Sequence, residues 1–285
     1  MDIQHIYREN QFTTTYGIKI YYQYWIPSNN HQANLIFVHG IGEHSGRYQN
    51  LVDYLLPKGF ALFGLDIQGH GKSEGKKGHV HHFSSFAEQV EQLRTTTSEL
   101  YNNKTLFLLG HSMGGLIALD YLMNYSTQNL TGAIFTSPAF DISVKIPAWK
   151  LSLGKILSYL APSVTMDNGI NPDDLSHDKV VVELYKKDEL VHDRISAGLF
   201  FTMLEVIKKA TKKARNIRTP ALLMLGEDDN LISKDGALRL FNILGSIDKK
   251  SCICHNSSHE LFNEIDKSNN LHLMWQWIEP RLKRK

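Results

Sequence analysis

The chain is poor in cysteine, has no excess of either charge and contains no long apolar run. Each shortage removes a class of protein. Two cysteines in 285 residues, Cys252 and Cys254, are too few for a disulfide framework, so a reducing, cytoplasmic compartment fits best. A formal net charge of +2 gives none of the electrostatic footprint of a nucleic-acid binder. No window approaches the length of a spanning helix, and Met1-Asp2-Ile3-Gln4-His5-Ile6 carries no apolar core of a secretory leader. Internal repeats and low-complexity tracts are missing as well. What remains is a chain that is 42% apolar, enough for a sizeable core, at a length that suits one large α/β domain or a core with an insertion.

The order of its segments points to an α/β fold. Phe12–Tyr16 and Ile18–Trp25, joined at Gly17, read as an antiparallel hairpin. Short apolar strands follow at Leu35–Val38, Phe60–Leu65, Thr105–Leu109, Thr131–Thr136, Ala221–Leu225 and Ser251–His255. Helical patterns lie between them and over Asn269–Trp277, so a mostly parallel sheet with helices on both faces is expected. Residues 140–218 break the alternation, with helical patterns interrupted by Pro147, Pro162 and Pro172 and no convincing strand. The expected division is therefore 1–139 as the first part of the core, 140–218 as an inserted helical cap and 219–285 as the second part.

Inside that cap, Trp149, Leu153, Ile156, Leu157 and Leu160 share one helical face, opposite Lys150, Ser152, Lys155 and Ser158. Packing of that stripe on the core is the first expectation. Lining an acyl channel or touching a bilayer surface is the alternative. The basic runs Lys208–Arg215 and Arg281–Lys285 read as solvated helix faces, with weak attraction to an anionic membrane as the functional alternative.

The chemistry is concentrated at Gly110-His111-Ser112-Met113-Gly114. A buried strand runs into Gly-x-Ser-x-Gly and a helix begins at once, the form of a nucleophile elbow. Glycines on both sides let strand and helix approach closely around Ser112. A serine needs a base to take its proton, and the base needs a carboxylate to orient it. In this arrangement the chain order is Ser, then Asp or Glu, then His. Glu227, Asp228 and Asp229 follow Gly226 at the end of the strand Ala221–Leu225, and His259 lies just beyond the end of the strand Ser251–His255. Fourteen histidines make position decisive. His79, His81 and His82 precede the elbow, and His111 flanks the nucleophile and reads as a residue that shapes the pocket.

Two backbone amides should hold the oxyanion: Met113, next after the nucleophile, and Ile41 in the loop His39-Gly40-Ile41-Gly42. Cys252, Cys254, His255 and His259 have a metal-like spacing. On a strand, however, the two cysteines point to one face and His255 to the other, so no metal and no organic cofactor is expected.

Four strings carry a family resemblance: His39-Gly40-Ile41-Gly42-Glu43-His44-Ser45-Gly46-Arg47-Tyr48, Asp66-Ile67-Gln68-Gly69-His70-Gly71-Lys72-Ser73-Glu74-Gly75, Gly110–Gly115, and Tyr185-Lys186-Lys187-Asp188-Glu189-Leu190-Val191-His192. With them the chain resembles the monoacylglycerol lipase and lysophospholipase branch of the serine α/β-hydrolases, over nearly its whole length. The resemblance implies Asp229 as the acid and His259 as the base. It also implies Glu43, Arg47 and Tyr185 near a head-group pocket. The implied activity is hydrolysis of the carboxylic ester of a single-chain lipid, a monoacylglycerol or lysophospholipid, through an acyl-enzyme. Phe262 and Glu189 depart from residues common in the family, which leaves head-group preference open. A general carboxylesterase for small or aromatic esters, and a non-catalytic lipid-binding protein on the same fold, are the competing expectations. The sequence is silent on oligomeric state.

Overall fold

The most apolar stretches of the chain become the centre of one sheet. In the computed structural model, which describes residues 5–100, 105–141 and 148–282, the chain opens with β1 (His5–Thr13) and β2 (Lys19–Pro27), an antiparallel pair. Next come β3 (Ala33–Val38), α1 (Gln49–Leu55), β4 (Phe60–Leu65), α2 (Ser84–Leu100), β5 (Thr105–His111), α3 (Met113–Asn124) and β6 (Leu130–Thr136). After α4 (Ala148–Leu160) come β7 (Thr165–Asp167), α5 (Lys179–Lys187), β8 (Arg194–Ser196) and α6 (Ala197–Lys213). The chain then forms β9 (Ala221–Gly226), α7 (Lys234–Ile243), β10 (Lys249–Cys254) and α8 (Lys267–Leu282). Pro147, the side chains of Trp149, Lys150 and Leu153, and Lys283–Lys285 lie outside the described residues.

Eight strands form the main sheet in the order β1-β2-β4-β3-β5-β6-β9-β10, parallel from β4 onward. This is the α/β-hydrolase arrangement expected. Strands β3, β4 and β9 are buried at every position, as parallel strands covered on both faces must be. Alternate residues feed two cores. Ile36, Phe63, Leu108 and Phe135 face α2 and α3, whereas Leu35, Phe37, Phe107 and Ile134 face α1 and α8. Going along the chain, β4 is laid on one side of β3 and β5 on the other. The order therefore reverses at β3/β5. In open α/β sheets the crevice beyond the strand ends at such a point is where ligands bind.

Several expectations are corrected. The first hairpin strand is His5–Thr13 rather than Phe12–Tyr16, and residues 14–17 form the turn, closed by Gly17 N–H donating to Thr14 O. β1 is an exposed edge strand, so it carries polar residues where a sequence reading looks for apolar alternation. The 140–218 segment does contain strands: β7 and β8 pair antiparallel, Thr165 opposite Ser196. They are three residues each, too short to leave a periodic signal. Ile156 and Leu160 of the apolar stripe are 54% and 80% exposed, so they do not pack on the core. Leu199, Met203 and Val206 of α6, by contrast, belong to the same core as α2 and α3.

Candidate active site

Ser112 stands at the sharp bend between β5 and α3, with φ +52° and ψ −119°. A non-glycine residue in this region is strained, by about 1–3 kcal/mol, and the surroundings hold it there. Its N–H donates to Thr136 O at 3.1 Å and its carbonyl accepts from Ala139 N–H at 2.9 Å. A Cβ on Gly110 would lie 2.3 Å from Gly114 O, and one on Gly114 would lie 2.2 Å from Val38 O. Neither position tolerates a side chain, so the glycines of the Gly-x-Ser-x-Gly string follow from steric exclusion.

The three acids after β9 separate cleanly. Glu227 is exposed and accepts from His255 and the Asn256 amide. Asp228 is about half exposed, with His177 at 3.8 Å. Asp229 turns inward, its side chain fully buried. Its Oδ1 accepts from the Leu231 and Ile232 amides at 2.9 and 3.3 Å, and its Oδ2 accepts from His259 Nδ1–H at 2.8 Å. Burial pushes the Asp229 carboxyl up, but the His259 charge and these donors outweigh it and hold it below the usual range. Burial pushes the His259 imidazole down, and Asp229 more than reverses this, leaving it above its ordinary value. Because Nδ1 is committed to Asp229, Nε2 is the nitrogen left for proton transfer.

Ser112 and His259 line one chamber of about 320 Å³, together with Ile41 and Met113. Its other walls are largely apolar, with Ile195, Phe200, Phe201, Met203, Leu231 and Ile232 prominent. The β7–β8 ribbon and the start of α6 supply one side, so the segment after Phe140 forms part of the enclosure.

Glu43, Arg47, His111 and Tyr185 are not among the residues that line this chamber. They sit behind it in a buried ionic cluster. Arg47 donates to both oxygens of Glu260 at 2.9 and 2.6 Å, its Nε lies 3.6 Å from Glu43, and its guanidinium rests 4.6 Å above the Tyr185 ring. Glu43 accepts from the Gly40 amide at 2.6 Å and from the Tyr48 hydroxyl at 3.0 Å. Burial, reinforced by the Glu260 charge, pushes Glu43 up to about 7 despite Arg47. Burial also works against ionisation of Glu260, but Arg47 prevails and keeps it below the carboxylate range.

His111 donates from Nδ1 to Thr136 O at 3.0 Å, and burial lowers its pKa to about 3, so the ring is neutral. Glu43, Arg47, Tyr48, His111, Glu260 and Phe262 enclose a second cavity of about 20 Å³, room for roughly one water molecule. Glu260 is the member that sequence reasoning missed; its only signal was its place next to His259. Among the described residues no group of three or more His, Cys, Asp or Glu is placed to hold a metal ion.

Residues 29–266 match the family model described as Hydrolase_4, serine aminopeptidase, S33. The chain belongs to this family of serine α/β-hydrolases. Within it, the chain is similar to the monoacylglycerol lipases. It is 28% identical over 275 residues to a monoacylglycerol lipase of Mycolicibacterium smegmatis, covering 96% of this chain and 98% of that one. It superposes on the crystal structure of the Paleococcus ferrophilus monoacylglycerol lipase with a TM-score of 0.80 at 31% identity, covering 97% and 99%. It is also 32% identical over 259 residues to an uncharacterized abhydrolase domain-containing protein of Dictyostelium discoideum, matching 90% of this chain but only 27% of that protein. Among the described residues, no helix of this hydrolase is long and apolar enough to cross a membrane.

Proposed function

We propose that the protein hydrolyses the carboxylic ester of a single-chain lipid, a monoacylglycerol or lysophospholipid, through an acyl-enzyme. Ser112 Oγ attacks the ester carbonyl while His259 Nε2 takes its proton, and Asp229 holds the ring and the charge that forms on it. The Ile41 and Met113 amides donate to the oxyanion. His259 then protonates the departing alcohol, activates a water, and the acyl chain leaves as the carboxylate. The observation that carries this reading is that Ser112 and an Asp229-bound His259 share one apolar chamber.

In such a chamber each buried methylene of an acyl chain contributes on the order of 0.8 kcal/mol. Residues 140–218 serve as the cap, with Ile156, Tyr159 and Leu160 exposed on its outer side as a peripheral contact with a membrane surface. Free Cys252 and Cys254 fit a cytoplasmic enzyme. Glu43, Arg47, His111 and Tyr185 bear on the head group only indirectly, from behind the chamber, by supporting the backbone that meets the substrate.

The test is a panel of monoacylglycerols, lysophospholipids and short esters, run beside labelling of Ser112 by a fluorophosphonate probe. Turnover that rises with acyl length and Ser112-dependent labelling are expected. A preference for short or aromatic esters would favour instead a general carboxylesterase, a second reading supported by Phe200 and Phe201 in the wall. Absence of labelling would overturn both.

A further inference from the structure

The string Tyr185–His192 belongs to the insertion, yet its second half is tied to the loop that follows β3. Asp188 Oδ2 accepts from His44 Nε2–H at 2.8 Å. That orientation of the ring is set because His44 Nδ1 accepts from the Gly46 amide at 3.2 Å. The other oxygen, Oδ1, accepts from the Leu190 amide at 2.9 Å, which closes a turn. Four residues on, His192 N–H donates to Gly42 O at 2.9 Å, and His192 Nε2–H donates to Gly69 O at 3.1 Å. Gly42 has φ +78°, and a Cβ there would fall 2.3 Å from His192 O. Only glycine allows the two backbones to meet so closely.

The turn held in this way is the one that presents Ile41 to the chamber. Its other side is fixed by Glu43, which accepts from Gly40 N–H, and a Cβ on Gly40 would lie 3.0 Å from Ser112 Cβ. Beyond His192 the same strand of chain donates and accepts along the chamber wall: Asp193 O accepts from Asn168 N–H at 2.7 Å, and Ile195 and Ser196 line the chamber. The 188–196 segment is thus a strap that joins the wall around the acyl chain to the loop beside the nucleophile.

Resting on the ester-hydrolase reading above, we infer that Asp188 and His192 are positioning residues for the oxyanion amide of Ile41. The His44–Asp188 bond holds the strap, and the strap holds the Ile41–Gly42 turn at the geometry in which the amide meets developing negative charge. Preorganised donors of this kind act on the transition state more than on the bound ester. Loosening the strap therefore lowers kcat and leaves KM nearly in place, whereas an insertion that served only as a lid would alter KM.

The experiment uses His44→Ala and Asp188→Ala, singly and together, with Asp188→Asn as the conservative variant, on the full chain. Active sites are counted by fluorophosphonate labelling run to completion, and kcat is expressed per labelled site on a soluble nitrophenyl ester. Each alanine variant is expected to lose about tenfold in kcat per site, with KM within about twofold. The double variant should be no worse than either single one, because both remove one bond. Asp188→Asn, which keeps the acceptor for His44 but loses the one for the Leu190 amide, should recover to within about threefold of the parent. Unchanged kcat per site, losses that multiply in the double variant, or a change confined to KM would overturn the inference. Should the alanine variants not fold, Asp188→Asn and His44→Gln decide it, through a two- to threefold fall in kcat per site or none. A parent enzyme that the probe does not label would instead refute the ester-hydrolase reading itself.

Discussion

Two compartments lie near the ends of the parallel strands; His111 lines one and His259 the other, with their rings 4.8 Å apart. The chamber in front is about 320 Å³ and largely apolar, with Ser112 and His259 in its wall. The cavity behind is about 20 Å³ and is built around buried Glu43, Arg47 and Glu260, with Arg47 hydrogen-bonded to Glu260 and ion-paired at 3.6 Å with Glu43. The first has a lining that suits a nonpolar group. The second is walled by its own ion pairs, and one of its carboxylates reaches forward to the Gly40 amide. Polarity beside such a chamber need not be substrate contact. Here it also supports the backbone that would do the contacting.

The largest effect expected separates the two compartments outright. Ser112→Ala should lower ester turnover by about 10⁶-fold while the melting temperature stays nearly constant, since its backbone bonds to Thr136 and Ala139 remain. Arg47→Ala should do the reverse. It strands two buried carboxylates against each other, and urea denaturation should report a loss of about 3–5 kcal/mol. If Arg47→Ala left stability intact and changed only head-group selectivity, the rear cavity would be a substrate pocket after all.

Acid sharpens the same contrast less drastically. Burial depresses His39 and His111 to about 3 and His70 well below its ordinary value. The unfolded chain takes up those protons near pH 6.5, while the fold refuses those of His39 and His111 until about pH 3 and that of His70 until well below its ordinary value. Their contribution is therefore complete above pH 6.5 and drains away as pH falls towards 3, at up to about 1.4 kcal/mol per unit for each group. His259 has the opposite sign: its raised value favours the fold at low pH, and that contribution is lost as pH climbs through the folded value. Activity requires neutral His259, so it should rise with pH through a midpoint above 6.5. Hydrolysis should then fail on acidification well before the near-ultraviolet dichroism does. Coincident loss of both would remove the distinction.

What could be read from the sequence depended on how local each signal was. Phe60–Leu65 is buried at every residue and bounded by turns, so its limits are plain from composition. The bend at Ser112 is announced by glycines that have no room for a Cβ. β1 has no apolar alternation to mark it because an exposed edge strand carries polar residues, and β7 and β8, at three residues each, have no period. Glu43, Arg47 and Tyr185 show where local signals stop. A sequence displays charged residues without saying whether they face a ligand or one another, and only distance decides that they pair. For the same reason Glu260 went unnoticed, and the reach of Asp188 to His44 across 144 positions had no local trace.

The twisted backbone of Ser112 carries a consequence for how such a protein can change. A glycine at this position would relax into φ +52° at no steric cost, so Ser112→Gly should melt later than the parent while losing its reactivity. Durability and turnover thus compete at a single residue. Selection for thermal resistance alone would erode the enzyme from its centre outward, and a robust homologue lacking this hydroxyl would be a predictable relic of that pressure.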